Sequence, residues 1–361
     1  MIKEKIVENI GIIYLDKKEV INALNLEMVK DIEKTLKKWE NDDKIKAVLF
    51  DSLCRKGFCA GGDLKEIYND YLLNESCQNK DEFYEEEFIL DKYVKNYKKP
   101  VLSHYFGIVM GGGIGLSINS DFIIADETVN WAMPETRLGF VPDVGVCKHL
   151  SNLPQALGQY LGLCGESLGS TDLINYDLID LYIKSEDYEN ILSILFDLSK
   201  KYEGEKLIKE FRTESEKFKN TEENSKISNN LEKIEKYFSK SSIEEIFEIL
   251  EKNKEKYEFA KNTLENLYEK SPFMLKVQFE KYFVCKNLSQ DEVFDLDLKI
   301  LKYSRKNGLM EEGIRSLLID KEKANWKEKS VDQVPDEKVK KLLGIEKMYR
   351  EKNRLNPKLS I

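Results

Sequence analysis

Two acids stand out in the segment Trp131-Ala132-Met133-Pro134-Glu135-Thr136-Arg137-Leu138-Gly139-Phe140-Val141-Pro142-Asp143-Val144-Gly145. Glu135 and Asp143 each follow a proline inside an otherwise apolar run. A carboxyl in apolar surroundings has a raised pKa, which suits proton transfer near neutral pH. Taken alone, either acid fits a turn or helix cap better. Two glycine clusters upstream offer a complementary chemistry: Phe58-Cys59-Ala60-Gly61-Gly62-Asp63-Leu64 and Met110-Gly111-Gly112-Gly113-Ile114-Gly115. Each follows a strand-like run and precedes a helical one. Adjacent glycines let a ligand approach backbone amides closely, and a helix start leaves N–H groups unpaired with a partial positive charge. Two such turns facing each other would direct two N–H donors at one oxygen, an oxyanion hole. Singly, each cluster is as readily a tight turn. Neither ends in the Gly-Lys-Ser/Thr of a phosphate loop, and the Gly111–Leu116 spacing is not that of a dinucleotide fingerprint.

Other reactive side chains offer less. His104 and His149 have no metal-ligand pattern of acids or cysteines near them. His104 lies inside an apolar strand and reads as a hydrogen-bonded core residue. Cys59 has no local base, and its expected role is that of a small buried residue.

The elements that must position these groups follow from periodicity. Ile10–Leu15 reads as a strand after a shorter first one. Asn25 caps a helix on which Met28, Val29, Ile32, Leu36 and Trp39 share a face. Ala47–Phe50 is a buried parallel strand, a helix begins near Leu64, Pro100–Ile108 is one strand, Gly111–Ser117 turns into a helix, and Phe122–Ala125 is a further strand. This recurrence is the signature of stacked ββα units. Beyond residue 180 glycine becomes sparse and Glu, Lys, Leu, Ile and Phe dominate, with helical spacing in Ile243, Ile246, Phe247 and Leu250. The expected organisation is an α/β region over residues 1–180 and a mostly helical region over 181–361. The polar stretch 217–228 reads as a loop or frayed helix, and the charge runs of 188–270 as a solvated helical face.

Composition narrows the function class. The 361 residues carry 57 Lys+Arg against 66 Asp+Glu, a formal charge of −9, which excludes a generally basic nucleic-acid binder. No apolar run reaches the ~18 residues of a membrane span. The N-terminus enters a strand pattern directly, without an apolar or Arg-rich targeting segment. Six scattered cysteines with no CxxC pair read as reduced thiols, so a cytoplasmic location is expected.

The three segments, in this order and spacing, resemble the crotonase (enoyl-CoA hydratase/isomerase) superfamily, and Asn22-Ala23-Leu24-Asn25 agrees with it. Within that superfamily the chain looks like the 3-hydroxyisobutyryl-CoA hydrolases, on the two glycine clusters, on Pro134-Glu135 with Pro142-Asp143-Val144-Gly145, and on Glu312-Gly313-Ile314-Arg315-Ser316-Leu317-Leu318-Ile319-Asp320-Lys321 followed by Asn325-Trp326. The resemblance implies a spiral of ββα units holding an acyl-CoA, with oxyanion donors at the N–H groups of Gly62 and Gly112. It places Ala23, Leu24, Ala60, Asp63 and Lys65 near the CoA, and it matches Glu135 to an acid shared by hydratases and hydrolases and Asp143 to the additional hydrolase acid. It implies no cofactor, since CoA is part of the substrate, and it is compatible with a homo-oligomer.

Position 115 separates the branches. Hydratases carry a catalytic glutamate two residues after the triple glycine, where this chain has Gly115. Hydration is helped by two acids flanking the alkene, whereas thioester hydrolysis needs an oxyanion hole and an acid able to act as base or nucleophile. The expectation is therefore a thioesterase acting on a short 3-hydroxyacyl-CoA. The alternatives are an enoyl-CoA hydratase or isomerase and a non-catalytic acyl-CoA-binding protein. The chain departs from the family at Val146, at Cys147-Lys148-His149, at Phe106, and at Glu19, where many relatives have a lysine near the CoA phosphates.

Overall fold

The computed structural model describes residues 1–72, 74, 77–221 and 225–351. The chain forms two compact units that interleave along the sequence: Met1–Ile67, Asn79–Ala132 and Ser167–Asn229 make the first, and Tyr68–Gln78, Met133–Glu166 and Asn230–Ile361 the second.

The first unit holds two sheets. β1 (Ile2–Val7), β2 (Ile10–Leu15), β3 (Ala47–Ser52), β5 (Val101–Tyr105), β7 (Phe122–Ala125) and β9 (Leu181–Tyr182) form a six-stranded sheet in that order, antiparallel at β1–β2 and parallel elsewhere. β4 (Gly57–Cys59), β6 (Ile108–Met110) and β8 (Asn130–Ala132) form a smaller parallel sheet. Each consecutive pair, β3/β4, β5/β6 and β7/β8, gives one strand to each sheet, so the ββα repeat becomes a spiral. Alternate residues Ile10, Ile12, Ala47, Leu49, Leu102, Phe122 and Ile124 line one face and pack on Ile191, Leu195, Leu207 and Phe211, from the helices Tyr188–Ser199 and Gly204–Ser215. Burying such a row is what drives parallel strands together.

The local rules hold at several places. Asn25 is extended and its side chain accepts from the Met28 N–H, capping the helix Leu26–Glu40 whose buried face includes Met28, Val29, Ile32, Leu36 and Trp39. His104 Nδ1 lies 3.1 Å from Asp51 Oδ1 and its ring stacks on Tyr188 at 3.5 Å, the hydrogen-bonded core role expected of it. The run Pro100–Ile108 is not one strand but two, in different sheets. The break falls at Gly107, with φ of 51°, where a side chain would collide with the carbonyl of Lys56 and with Gly57.

Beyond β9 the described residues form helices and no strand. In the second unit the helix Pro272–Cys285 is buried on nearly every side. Ser271 caps it by accepting from Met274 N–H, and the next helix, Gln290–Lys306, opens with a capping box between Ser289 and Glu292. Residues 222–224 of the polar stretch 217–228 lie outside the described residues.

Candidate active site

The first unit brings the two glycine turns together. The parallel pairing of β4 with β6 sets Cys59 beside Val109, so the turns that follow both strands emerge side by side. A Cβ placed on Gly61 would sit 3.3 Å from the Met110 carbonyl and 3.6 Å from Gly112 N. A Cβ on Gly113 would meet Cys59 Cβ at 2.5 Å. Gly61 is held in the left-handed region at φ of 96°, close against the second turn, and Gly113 leaves no room for a side chain beside Cys59. Gly112 opens the short helix Gly112–Gly115, so no carbonyl four residues back can take its N–H within the helix. Around Gly62, Leu24 N–H donates to Gly61 O at 2.8 Å and Asp63 N–H to Leu24 O at 2.7 Å. That ladder uses the Gly61 carbonyl and the Asp63 N–H, and not the Gly62 N–H.

The same ladder places the residues expected near CoA. Ala23 and Leu24 are buried, Ala60 and Asp63 half-buried, and Lys65 exposed. Ala60 N–H donates to Ile21 O at 2.9 Å, and the Asn22 side chain donates to Phe58 O at 2.8 Å and Ser52 Oγ at 2.7 Å. The turn 21–24 is thus clasped along 58–63. Cys59 is fully buried, its thiol 3.1 Å from Asn22 O, and burial pushes its pKa up to about 12. A thiol so protonated is no nucleophile, as expected.

One acid escaped the sequence reading. Glu87, on the helix Glu82–Lys95, is buried, and a Cβ on Gly112 would run into its Oε1. Three consecutive glutamates, Glu85-Glu86-Glu87, look alike in sequence. Only the fold selects the one whose carboxyl packs against the second glycine turn.

The second unit carries Glu135 and Asp143, both about 95% buried. Glu135 begins the 3-10 turn Glu135–Leu138, and Phe140 N–H donates to the Glu135 carbonyl. Two distant contacts fix this turn. Thr136 Oγ1 donates to Leu163 O at 3.1 Å, and Ser271 N–H to Thr136 O. The Glu312-Gly313 motif now has a physical reason: a side chain at Gly313 would collide with the Leu138 backbone, so only glycine lets this helix lie on the turn bearing Glu135. Glu312 in turn pairs with Arg315 at 2.8 Å and accepts from Asn325 N–H. It anchors the segment whose Trp326 ring packs by Gly139.

Asp143 sits in a loop under strain. Val144 has φ of 47°, a left-handed conformation that a β-branched residue rarely adopts. Burial, then the nearby charge of Asp297, raises the Asp143 pKa to about 8, while Lys281 and its own backbone amide pull it down. Lys281 and Asp297 were not singled out in sequence. The signal available was a lysine and an aspartate on helical stretches rich in apolar residues, Pro272–Cys285 and Gln290–Lys306. Among the described residues no group of three His, Cys, Asp or Glu side chains could hold a metal ion, and no helix is long and apolar enough to cross a membrane.

The sequence profile of the enoyl-CoA hydratase/isomerase family matches residues 10–343. The chain belongs to that family. It is 31% identical over 343 residues to the mitochondrial 3-hydroxyisobutyryl-CoA hydrolase of Xenopus laevis, covering 91% of this chain and 84% of the relative. It is 33% identical over 331 residues to that of Dictyostelium discoideum, covering 89% and 86%. Among solved structures, an enoyl-CoA hydratase from Rhodobacter sphaeroides 2.4.1 matches with a TM-score of 0.83 and 26% identity over 96% of this chain and 97% of that one. A carnitinyl-CoA dehydratase from Mycobacterium thermoresistibile gives 0.83 and 24% over 95% and 96%, a likeness of fold. The fold is thus the crotonase spiral with a mostly helical C-terminal half.

Proposed function

We propose that this chain hydrolyses the thioester of a short 3-hydroxyacyl-CoA, foremost 3-hydroxyisobutyryl-CoA, giving CoA and 3-hydroxyisobutyrate as in valine breakdown. In this reading the N–H groups of Gly62 and Gly112 take the thioester carbonyl oxygen and stabilise the negative charge that grows on it. Glu135 attacks the carbonyl carbon to give a mixed anhydride, or activates a water for the same attack. Asp143 binds the substrate hydroxyl or gives a proton to the departing thiolate. Ala23, Leu24, Ala60, Asp63 and Lys65 line the CoA. This reading includes a reducing, cytosol-like compartment, on six scattered cysteines with no CxxC pair. Assembly into a homo-oligomer belongs to the same reading, and sedimentation velocity tests it.

The observation that carries the proposal is which acids the chain has. Position 115 is a buried glycine, while Glu135 and Asp143 are both buried in loops of one unit. Curated relatives of about the same length bear the hydrolase name. The test is to offer 3-hydroxyisobutyryl-CoA and crotonyl-CoA in parallel. Thiol release from the first without hydration of the second is expected, and rapid loss of the crotonyl-CoA enone absorbance with no thiol release overturns the proposal.

One observation favours a second reading. Glu87 against Gly112 returns an acid to the neighbourhood of the second glycine turn, which a hydratase could use in place of the missing glutamate. The crotonyl-CoA arm of the same experiment decides between the two.

A further inference from the structure

The pair Lys281–Asp297 is the deepest charge feature of the second unit. Lys281 Nζ and Asp297 Oδ1 lie 2.5 Å apart with both side chains fully buried. Such a pair is a poor device for stability, because removing two charges from water costs about as much as their attraction returns. Its other bonds show what it holds. Lys281 Nζ donates to Pro142 O at 2.5 Å, and Asp297 Oδ2 accepts from Gly145 N–H at 2.9 Å. Gln290 Nε2 adds a bond to Gly145 O at 3.1 Å. Both ends of the loop Pro142–Gly145 are gripped, and the strained Val144 lies between them beside Asp143. Strain of this kind persists only where the surroundings over-determine it.

The buried charges around Lys281 are unequal in number. Asp143 and Asp297 are two buried carboxyls served by one buried ammonium, which also interacts electrostatically with the thiols of Cys147, whose pKa is lowered by its bond with Cys285, and of Cys285, whose pKa is raised by the same bond. One cation neutralises one anion, and a second bare carboxylate in the same interior is unfavourable. Burial raises the Asp297 pKa as well, but Asp297 has the ammonium at contact distance and a backbone N–H besides, so of the two it is the better held as an anion. The proton stays on Asp143.

We propose that Lys281 and Asp297 are positioning residues for Asp143, clamping its loop and keeping its carboxyl protonated as the acid that serves the departing CoA thiolate. The last clause rests on the thioesterase reading; the clamp and the protonation state do not. In the reaction, attack by Glu135 breaks the C–S bond, the Asp143 O–H breaks and the S–H forms, leaving an Asp143 carboxylate. The water that cleaves the Glu135 anhydride returns a proton to Asp143, frees the Glu135 carboxylate and ends in the product acid.

The discriminating variant is Asp297→Asn, which keeps the size and an acceptor for Gly145 N–H but removes the charge. Lys281 is then left to Asp143, whose carboxyl should ionise more readily. With Asp side chains carbon-13 labelled, and Asp143→Asn used to assign the signal, the Asp143 carboxyl of the wild-type chain should titrate near 8. In Asp297→Asn its midpoint should fall by at least one pH unit. Thiol release should show the same shift: the limb on which kcat falls with rising pH moves to lower pH in Asp297→Asn and returns in Asp297→Glu, with KM changed less than kcat. An Asp143 signal titrating in the ordinary carboxylate range in the wild-type chain overturns the proposal, and that measurement decides alone if Asp297→Asn does not fold. An Asp143 midpoint unmoved in a folded Asp297→Asn chain overturns it too. Wild-type titration as stated, without hydrolysis of any acyl-CoA, would fault the thioesterase reading and leave the clamp standing.

Discussion

Lys17 Nζ lies 2.8 Å from Asp63 Oδ2 and 3.2 Å from Glu66 Oε2, with the lysine and Asp63 side chains each mostly buried. The contact ties the end of β2 to the helix that follows the first glycine turn. Burial works against the charge on Lys17, and the two carboxylates outweigh it, so its pKa is raised. Asp63 also accepts from Glu66 N–H at 3.2 Å. It therefore holds the turn that presents the Gly62 N–H, and a CoA phosphate would need a cation there rather than this anion.

Asp63→Ala should lower stability by about 1.5–3 kcal/mol, the range for a lost hydrogen bond to a charged partner, seen as a fall in melting temperature. It should also weaken CoA binding through the loosened turn. Lys65→Ala should leave the melting temperature unchanged, since Lys65 is exposed, and weaken CoA binding more at low than at high salt. Equal CoA affinity in both variants and wild type, measured by calorimetry, would remove this segment from the CoA site.

Glu135→Gln keeps shape and removes the charge that a nucleophile or base requires. Loss of at least ~100-fold in thiol release is expected, equal to roughly 2.7 kcal/mol of transition-state stabilisation. Asp143→Asn should slow the reaction as well. If Asp143 binds the substrate hydroxyl, the loss is larger for the 3-hydroxyacyl-CoA than for its deoxy analogue. As a proton donor to the thiolate it slows both alike, the outcome expected here.

Gly112→Ala tests the second glycine turn. The added methyl must displace the Glu87 carboxyl, while Leu24 also stands at 3.4 Å. Thiol release should fall by at least ~10-fold at unchanged substrate saturation, a loss of about 1.4 kcal/mol in the transition state. Gly113→Ala instead overpacks against Cys59 and should act on stability, by about 1–3 kcal/mol. Urea unfolding and kinetics on the two variants separate the roles.

How much of this was legible beforehand depends on sequence distance. The Asn25 cap, the run Ile10–Leu15 and the two glycine turns are local features, and local rules find them. The break at Phe106-Gly107 was hidden because Val101 to Ile108 is continuously strand-like, and the reason for the kink is the approach of Lys56 and Gly57 from another strand. Lys281, Asp297 and Glu87 were hidden for the same reason. Each acts on a loop many residues away, Pro142 lying 139 positions from Lys281, and a charged residue in a helix looks solvated until the fold says which face it occupies. Glu135 and Asp143 stand out in the sequence only together with the glycine turns, since either alone fits a cap.

The last prediction concerns what Asp143 costs the fold. Its carboxyl is pushed from the ordinary value to about 8 in the folded chain and returns to about 3.9 on unfolding. Between those values the native state binds more protons than the unfolded state, so stability falls as pH rises through this window. The contribution is complete below the unfolded pKa and lost once the folded pKa is passed. Asp143→Asn removes the titration and keeps a neutral polar group in place of the protonated acid. Its melting temperature should come nearest that of wild type at about pH 4 and below, where the carboxyl is largely protonated in both folded and unfolded chains. It should then exceed wild type by a widening margin towards pH 8, each kcal/mol being worth about 1–2 °C in a chain of this size. His149 gives the opposite slope on the acid side in both proteins. Burial, then Lys148, lowers its pKa to about 4, so stability is lost as pH falls from about 6.5 towards that value. The comparison is therefore the difference between the two melting curves at each pH, in which the His149 term cancels. A difference that stays flat from pH 5 to pH 8 would mean that Asp143 ionises alike in folded and unfolded chains. A widening one shows a buried carboxyl kept protonated at the expense of stability.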